Sequence, residues 1–242
     1  MKTSKLIASL AVTLVALSLS SCQIVADKAS VEQVDIYPIV DINEYTIDGN
    51  AEIKFVEDNV SKIVVEGSKE ETKETKITCS GHHATVEANS VHHTEMINGK
   101  ISIGKKTKGL TVYIHSRNIK KINFSGNLVV SSETPLHCSN IEVKANGNCV
   151  ITLHMSGSSS FLFEASDNNV ADLTMDNVKY SNINMHGNCV IDVIYDKCHK
   201  SDVNIAGNCV AYFEGTIEKE FNPKSNSSSC VITNNVKKWN KD

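Results

Sequence analysis

From about residue 35 onward, apolar and polar residues alternate with a period of two. The alternation is broken at even intervals by a Gly-Asn turn. Before the turn stand I-E-V-K-A (141–145), F-L-F-E-A (161–165), S-N-I-N-M (181–185) and S-D-V-N-I (201–205). After it stand V-I-T-L-H-M (150–155), V-A-D-L-T-M (170–175), V-I-D-V-I-Y (190–195) and V-A-Y-F-E (210–214). A two-residue period rich in β-branched residues predicts half-buried strands, and no window of eleven residues reads as a helix.

The turn itself repeats. Aligned on its Asn, the copies are SGNLV (Gly126, Asn127), NGNCV (Gly147, Asn148), SDNNV (Asn168), HGNCV (Gly187, Asn188), AGNCV (Gly207, Asn208) and a degenerate SSSCV (Ser229). Successive copies lie 21, 20, 20, 20 and 21 residues apart, with a fainter DGNAE at 48–52. A short strand pair cannot bury its own apolar face, but identical units stacked about 4.8 Å apart can. The expectation is an all-β solenoid whose corner is the Gly-Asn, since Gly and then Asn best tolerate a positive φ.

The irregular stretch 35–125 still predicts strands at Ile53–Val56, Lys62–Val65, Lys76–Thr78, Ala84–Glu87, Ile101–Ile103, Leu110–His115 and Lys121–Phe124. K-E-E-T-K-E-T-K (69–76) reads as a solvated turn of mixed charge. These residues form either the first, longer-looped coils of the same domain or a small β-domain of their own. The domain boundaries are therefore 35–236, with irregular coils at 35–125 and regular repeats at 126–236, and a tail at 237–242.

The N-terminus changes the picture. Lys2 and Lys5 precede an apolar run, Leu6 to Leu19, that is long enough for a signal sequence and too short to span a bilayer. It ends in Leu19-Ser20-Ser21-Cys22, the pattern of a bacterial lipobox. Residues 1–21 are expected to be a signal peptide, Cys22 the lipidated residue, and 22–34 a linker. The expected location is the outer membrane or cell surface, with the membrane as a partner through the lipid anchor. Loss of Lys2 and Lys5 takes the formal charge from −4 to −6, which disfavours a nucleic-acid partner. Aromatic residues are only 5% of the chain, with Trp239 the sole tryptophan, a thin supply for stacking sugars.

The run G-L-T-V-Y-I-H-S-R-N-I-K-K-I-N-F-S-G-N (109–127), followed by corners every twenty residues in an exported lipoprotein, resembles the DUF2807 family of auto-transporter adhesins with a "head GIN" domain. The resemblance covers roughly residues 35–235. It implies a single-stranded right-handed parallel β-helix of the pectate-lyase-like type and no catalytic residues to carry over. This sequence departs from it by placing Cys149, Cys189, Cys209 and Cys230 where the family usually has Asp or Asn.

Three groups are candidates for chemistry. In register, the cysteine column places neighbouring Cα atoms about 5 Å apart. It reads as an interior ladder of small apolar thiols, as disulfides, or as metal ligands. Eight cysteines less Cys22 leave seven, so they cannot all pair within one monomer. Cys79-x-x-His82-His83 and His92-His93 are each limited to one metal ligand per pair, because adjacent strand residues face opposite ways. No metal and no cofactor is expected. Asp172 and Asp192 are both four residues past their corner Asn, and paired carboxylates suit glycoside cleavage. Thr152 and Tyr212 occupy the neighbouring repeats, with no basic cluster or long loop to build a cleft. The functional expectation is a non-enzymatic binding module at the cell envelope, meeting a glycan or protein ligand. The alternative is a carbohydrate-active enzyme, a polysaccharide lyase or glycoside hydrolase.

Overall fold

The computed structural model describes residues 32–90, 94–97, 100–103 and 109–239. The signal sequence, Cys22, His92 and His93 lie outside them. The irregular region comprises β1 (Glu32–Pro38), β2 (Glu44–Val56), β3 (Lys62–Ser68), α1 (Lys69–Glu74), β4 (Lys76–Ser80), β5 (His83–Asn89), β6 (Thr94–Ile97), β7 (Lys100–Ile103) and β8 (Thr111–His115). The repeats comprise β9 (Lys121–Ser132), β10 (Asn140–Gly147), β11 (Val150–Ser156), β12 (Ser160–Asp167), β13 (Val170–Asp176), β14 (Tyr180–Ser225) and β15 (Val231–Lys238).

Thirteen strands join in one sheet, and β6 and β7 form a separate antiparallel pair. Within the repeats the twenty-residue interval is the register. Ile141 lies beside Phe161 and Phe161 beside Ser181, while Val150 lies beside Val170 and Val170 beside Val190, all in parallel pairs.

The expected single-stranded right-handed parallel β-helix is corrected here. The path β9–β10–β12–β14–β13–β11 returns to its start, because β9 also pairs with β11. Six parallel strands thus close into a barrel with further strands outside it, and the molecule is not a solenoid. The reason lies in the long strands. β9 gives Lys121–Gly126 to β10 and Val129–Ser131 to β11, and β14 gives Tyr180–Met185 to β12 and Val190–Asp196 to β13. A strand that runs unbroken through the corner belongs to two neighbours at once, so the sheet has no edge at that point. A repeat interval sets register without setting closure.

The outer strands break the parallel pattern too. β1 pairs antiparallel with β3, β3 with β8, and β4 with β5. The 69–76 segment is not a solvated turn but holds the short helix α1. Ser68 caps it, accepting from the Glu71 backbone while the Glu71 carboxylate accepts from Ser68 N–H. This reciprocal box satisfies two orphan donors, and it buries Glu71 and Thr72 against the sheet. The S-x-x-E spacing was the available signal.

Inside, the alternation places apolar residues from every repeat in one continuous core. Phe161 and Phe163 stack at 6.3 Å, and Phe221 packs edge-on to Phe213 at 5.2 Å and to Tyr195 at 5.7 Å. A polar chain within this core is paired internally: Tyr195 Oη shares a 2.8 Å hydrogen bond with Ser201 Oγ, which accepts from Ser181 Oγ at 2.7 Å. A buried hydroxyl costs little once it is paired.

Candidate functional site: the columns flanking the repeated corner

Each corner begins with a residue at positive φ. Gly147 has φ 108°, and a Cβ built on it would stand 2.5 Å from the Gly126 carbonyl oxygen. Backbone approaches backbone so closely here that the column excludes side chains. Asp167 is the exception at φ 74°, and its carboxylate accepts from Gly147 N–H at 3.2 Å.

The next position is an exposed amide ladder. Asn148 donates through Nδ2 to Asn127 Oδ1 at 2.8 Å, Asn168 to Asn148 at 2.9 Å, Asn188 to Asn168 at 3.0 Å and Asn208 to Asn188 at 3.1 Å. Every bond points the same way along the file, so the amides polarise one another. The sequence marks these residues as corner formers; the hydrogen-bonded file depends on their register.

The cysteine column faces inward. Cys149, Cys189 and Cys209 are buried, Cys230 is half-buried, and all carry free thiols. Cys189 Sγ donates to the His186 carbonyl at 3.3 Å, and Cys209 Sγ donates to those of Ala206 and Gly187 at 3.5 Å each. Asn169 does the same job in its repeat, donating to Ser166 O and accepting from Cys149 N–H at 3.3 Å. The column thus supplies a small inward donor to backbone carbonyls of the corner. Burial, with the neighbouring Cys209 adding to it, pushes the Cys189 thiol up to about 11. A thiol held that high is a poor nucleophile and a poor metal ligand at neutral pH. Cys79 is exposed, and Cys138 and Cys198 are buried away from the column.

The valines that follow point outward. Val129, Val150, Val170, Val190 and Val231 are 43–58% exposed. The inward parity runs unbroken through the corner, from Ala145 to Cys149 to Ile151, so the Cys takes the inside and the Val beside it takes the solvent.

Two positions past the valines, Thr152, Asp172 and Asp192 lie in parallel register on the same open face, with the exposed Tyr212 in that position one repeat on. Desolvation, then the charges of Asp172 and Glu214, raises the Asp192 carboxyl above its usual range. Both residues are exposed on the sheet face, with Asp192 the partly desolvated one. The histidine candidates disperse: His82 Nδ1 lies 2.7 Å from the Asp41 carbonyl, and His83 Nδ1 stands 3.9 Å from Glu44. Among the described residues no three His, Cys, Asp or Glu side chains converge as metal ligands.

Columns of this kind, without a converging site, are the mark of an extended β surface. The chain belongs to the family described as "Putative auto-transporter adhesin, head GIN domain", which matches residues 42–218. Solved structures share the fold. A "putative adhesin" from Parabacteroides merdae is 14% identical with TM-score 0.54, and one from Parabacteroides distasonis is 15% identical with TM-score 0.55. In each case 86% of this chain and 96% of the other is covered. A "Putative lipid binding protein" from Parabacteroides distasonis is 13% identical with TM-score 0.51, covering 86% of this chain and 97% of its own. No curated protein matches the sequence.

Proposed function

We propose that the chain is a non-enzymatic binding module of the cell envelope, tethered to the membrane through lipid on Cys22 and presenting its long β faces to a surface ligand. The observation that carries this reading is the exposed column on those faces. The stacked carboxylates Asp172 and Asp192 sit in register between Thr152 and Tyr212, all on the exposed side of the sheet. Cleavage needs an acid and a base held on two sides of an enclosed bond, and an open column offers neither enclosure nor opposition. The adhesin label of the family and of two structural neighbours supports the same reading. The lipobox at Leu19–Cys22 supports export and anchoring.

The test is a strain of the source bacterium lacking the chain, complemented with wild type or Cys22→Ser. Adherence to mucin-coated and matrix-coated surfaces falls on deletion and returns with the wild type. With Cys22→Ser the protein leaves the membrane fraction and adherence stays low. Undiminished adherence of the deletion strain on every surface rejects the binding role, and a Cys22→Ser protein that resists a high-salt wash rejects the anchor.

A further inference from the structure

Three successive loops meet at the edge of the β10–β12 face and leave a groove of about 340 Å³ between them. Asn118 and Lys120 come from the loop before β9, Ser139 and Asn140 from the start of β10, and Ser160 and Leu162 from β12. The loops are fixed by their backbones. Lys120 N–H donates to the Asn43 carbonyl at 2.8 Å, and the Lys120 carbonyl accepts from Glu142 N–H at 2.9 Å. The Ser139 carbonyl accepts from the N–H groups of Ser159 at 2.8 Å and Ser160 at 3.1 Å.

Several polar side chains of the same face satisfy one another across strands: Ser166 donates to Asn146 at 2.7 Å, Asn204 to Asn184 at 3.0 Å and Asn222 to Asp202 at 3.1 Å. Beside the groove, Asn182, in register with Leu162, has a buried Oδ1 without a partner among the described residues. In the groove, the side chains of Asn118, Lys120, Ser139, Asn140 and Ser160 have no partner among the described residues. Glu142 also lines it but is already engaged, 3.0 Å from Lys144 and 3.6 Å from Lys121. That leaves Lys120 as the uncompensated charge, with the exposed Arg117, the chain's only arginine, in the same loop. Two amides and two hydroxyls around one free cation, over the half-buried aliphatic Leu162 and beside the ion-paired Glu142, make a site rich in neutral hydrogen bonding with a single unpaired charge. A phosphate would be better served by several cations in a fork. A sugar ring offers hydroxyls for the amides and serines and a C–H face for the leucine.

We propose that this groove is a subsite for a carboxylate-bearing saccharide unit, with Lys120 pairing the carboxylate. The proposal rests on the binding-module reading and names its ligand class. The volume lies at the small end of ligand sites, about 300–1,000 Å³, which suits one or two sugar residues of a longer chain. The −4 overall charge does not oppose this, because salt screens distant charges, Lys120 lies in the groove itself and the Glu142 carboxylate there is already paired with lysines.

The experiment is calorimetric titration of the full chain with oligosaccharides ending in glucuronate, galacturonate or N-acetylneuraminate, each beside its carboxyl-reduced counterpart. At least one acidic sugar binds, and reduction of its carboxylate weakens it about tenfold, the worth of one charge-assisted hydrogen bond. Lys120→Ala weakens the acidic sugar by a similar factor and leaves the reduced one unchanged, Lys120→Arg restores it, and Asn140→Ala weakens both. Lys120 and Asn140 are both exposed, in the loop before β9 and at the first residue of β10, and circular dichroism checks that each variant folds. No binding by any acidic sugar, equal affinity for acidic and reduced forms, or indifference to Lys120→Ala overturns the proposal. The adherence assay separates the two readings. If cells carrying Lys120→Ala adhere fully while deletion cells do not, the module stands and the groove falls.

Discussion

The two long faces of the barrel rest on the same core and the same corner, yet they treat charge in opposite ways. On the β10–β12 face, Lys121, Glu142, Lys144 and Glu164 alternate in sign across neighbouring strands, with Lys144 2.7 Å from Glu164. Further along, Lys200 lies 2.8 Å from Glu220 and 3.6 Å from Asp202. On the β11–β13 face, like sits beside like: valine beside valine, and Asp172 beside Asp192. Inward positions are constrained by packing and cannot diverge, whereas outward columns need only suit a strand and each other. The first face stabilises itself through its pairs. The second carries mild repulsion and exposed apolar surface that the core must outweigh.

The largest effect comes from breaking what both faces share. Gly187 has φ 105°, and a Cβ there would meet the Asp167 backbone nitrogen at 3.0 Å, with the carbonyl carbon behind it at 3.1 Å. Neither is a flexible end that can swing aside. Gly187→Val therefore costs on the order of 3–5 kcal/mol, read as a collapse of the urea midpoint, with both faces lost together. A loss below about 1 kcal/mol would show that the corner is not a close backbone contact.

The inward column comes next. Cys189→Ala removes a buried side chain and its bond to the His186 carbonyl, and it costs about 1 kcal/mol. With no disulfide among the described cysteines, thermal melts of the wild type with and without dithiothreitol should superpose. Melts with and without EDTA should superpose as well, since a metal bound only to the folded state would raise the melting temperature. A shift with either reagent would restore the staple or the metal site to this column.

The two faces then separate by pH. Asp202 is held below the usual carboxylate range by Asn222, with Tyr180 and Lys200 adding to it. A depressed folded-state pKa stabilises fully above the unfolded value, and that stability is lost as pH falls through the folded one. Asp192 is raised, so its sign is reversed: its cost is present at neutral pH and is relieved as pH falls through its folded pKa. Both groups are well solvated, so each effect is limited by screening to a few tenths of a kcal/mol. At pH 7, Asp202→Asn lowers stability and Asp192→Asn raises it; in paired denaturant titrations at pH 7 and pH 3 the Asp202 difference narrows and the Asp192 difference vanishes. If Asp192→Asn destabilises at pH 7, the like-charge account of that face is wrong.

The smallest effect is at the outward valines. Val170 is 46% exposed, so Val170→Thr should change stability by less than about 0.5 kcal/mol. A loss comparable to that of Cys189→Ala would mean that the valine column is packed against something.

Within the repeats the sequence alone determined the strands, their period and their register. Outside them, β1 (Glu32–Pro38) overlaps residues read as a linker, and β2 begins nine residues before the strand expected at Ile53. Alternation shows which residues of 141–145 or 170–175 face inward, and the twenty-residue step pairs Ile141 with Phe161 before any coordinates exist. Both signals are local or strictly periodic, so they survive in one dimension. The same parity carries through the corner and gives Cys149 the interior and Val150 the solvent, although both are apolar and composition alone does not separate them. The capping box at Ser68 and Glu71 was written in the sequence but hidden under a run of charges that also suits a turn. Closure was not written there. That β9 meets β11 as well as β10, and that β1, β3 and β8 add antiparallel strands, depends on where long strands bend and which distant segments they reach. The groove is of the same kind. Asn140 and Ser160 stand twenty apart like every other column, but only the tertiary structure decides that their side chains, with Lys120, are left without partners, because pairing is set by distance in space and not by distance along the chain.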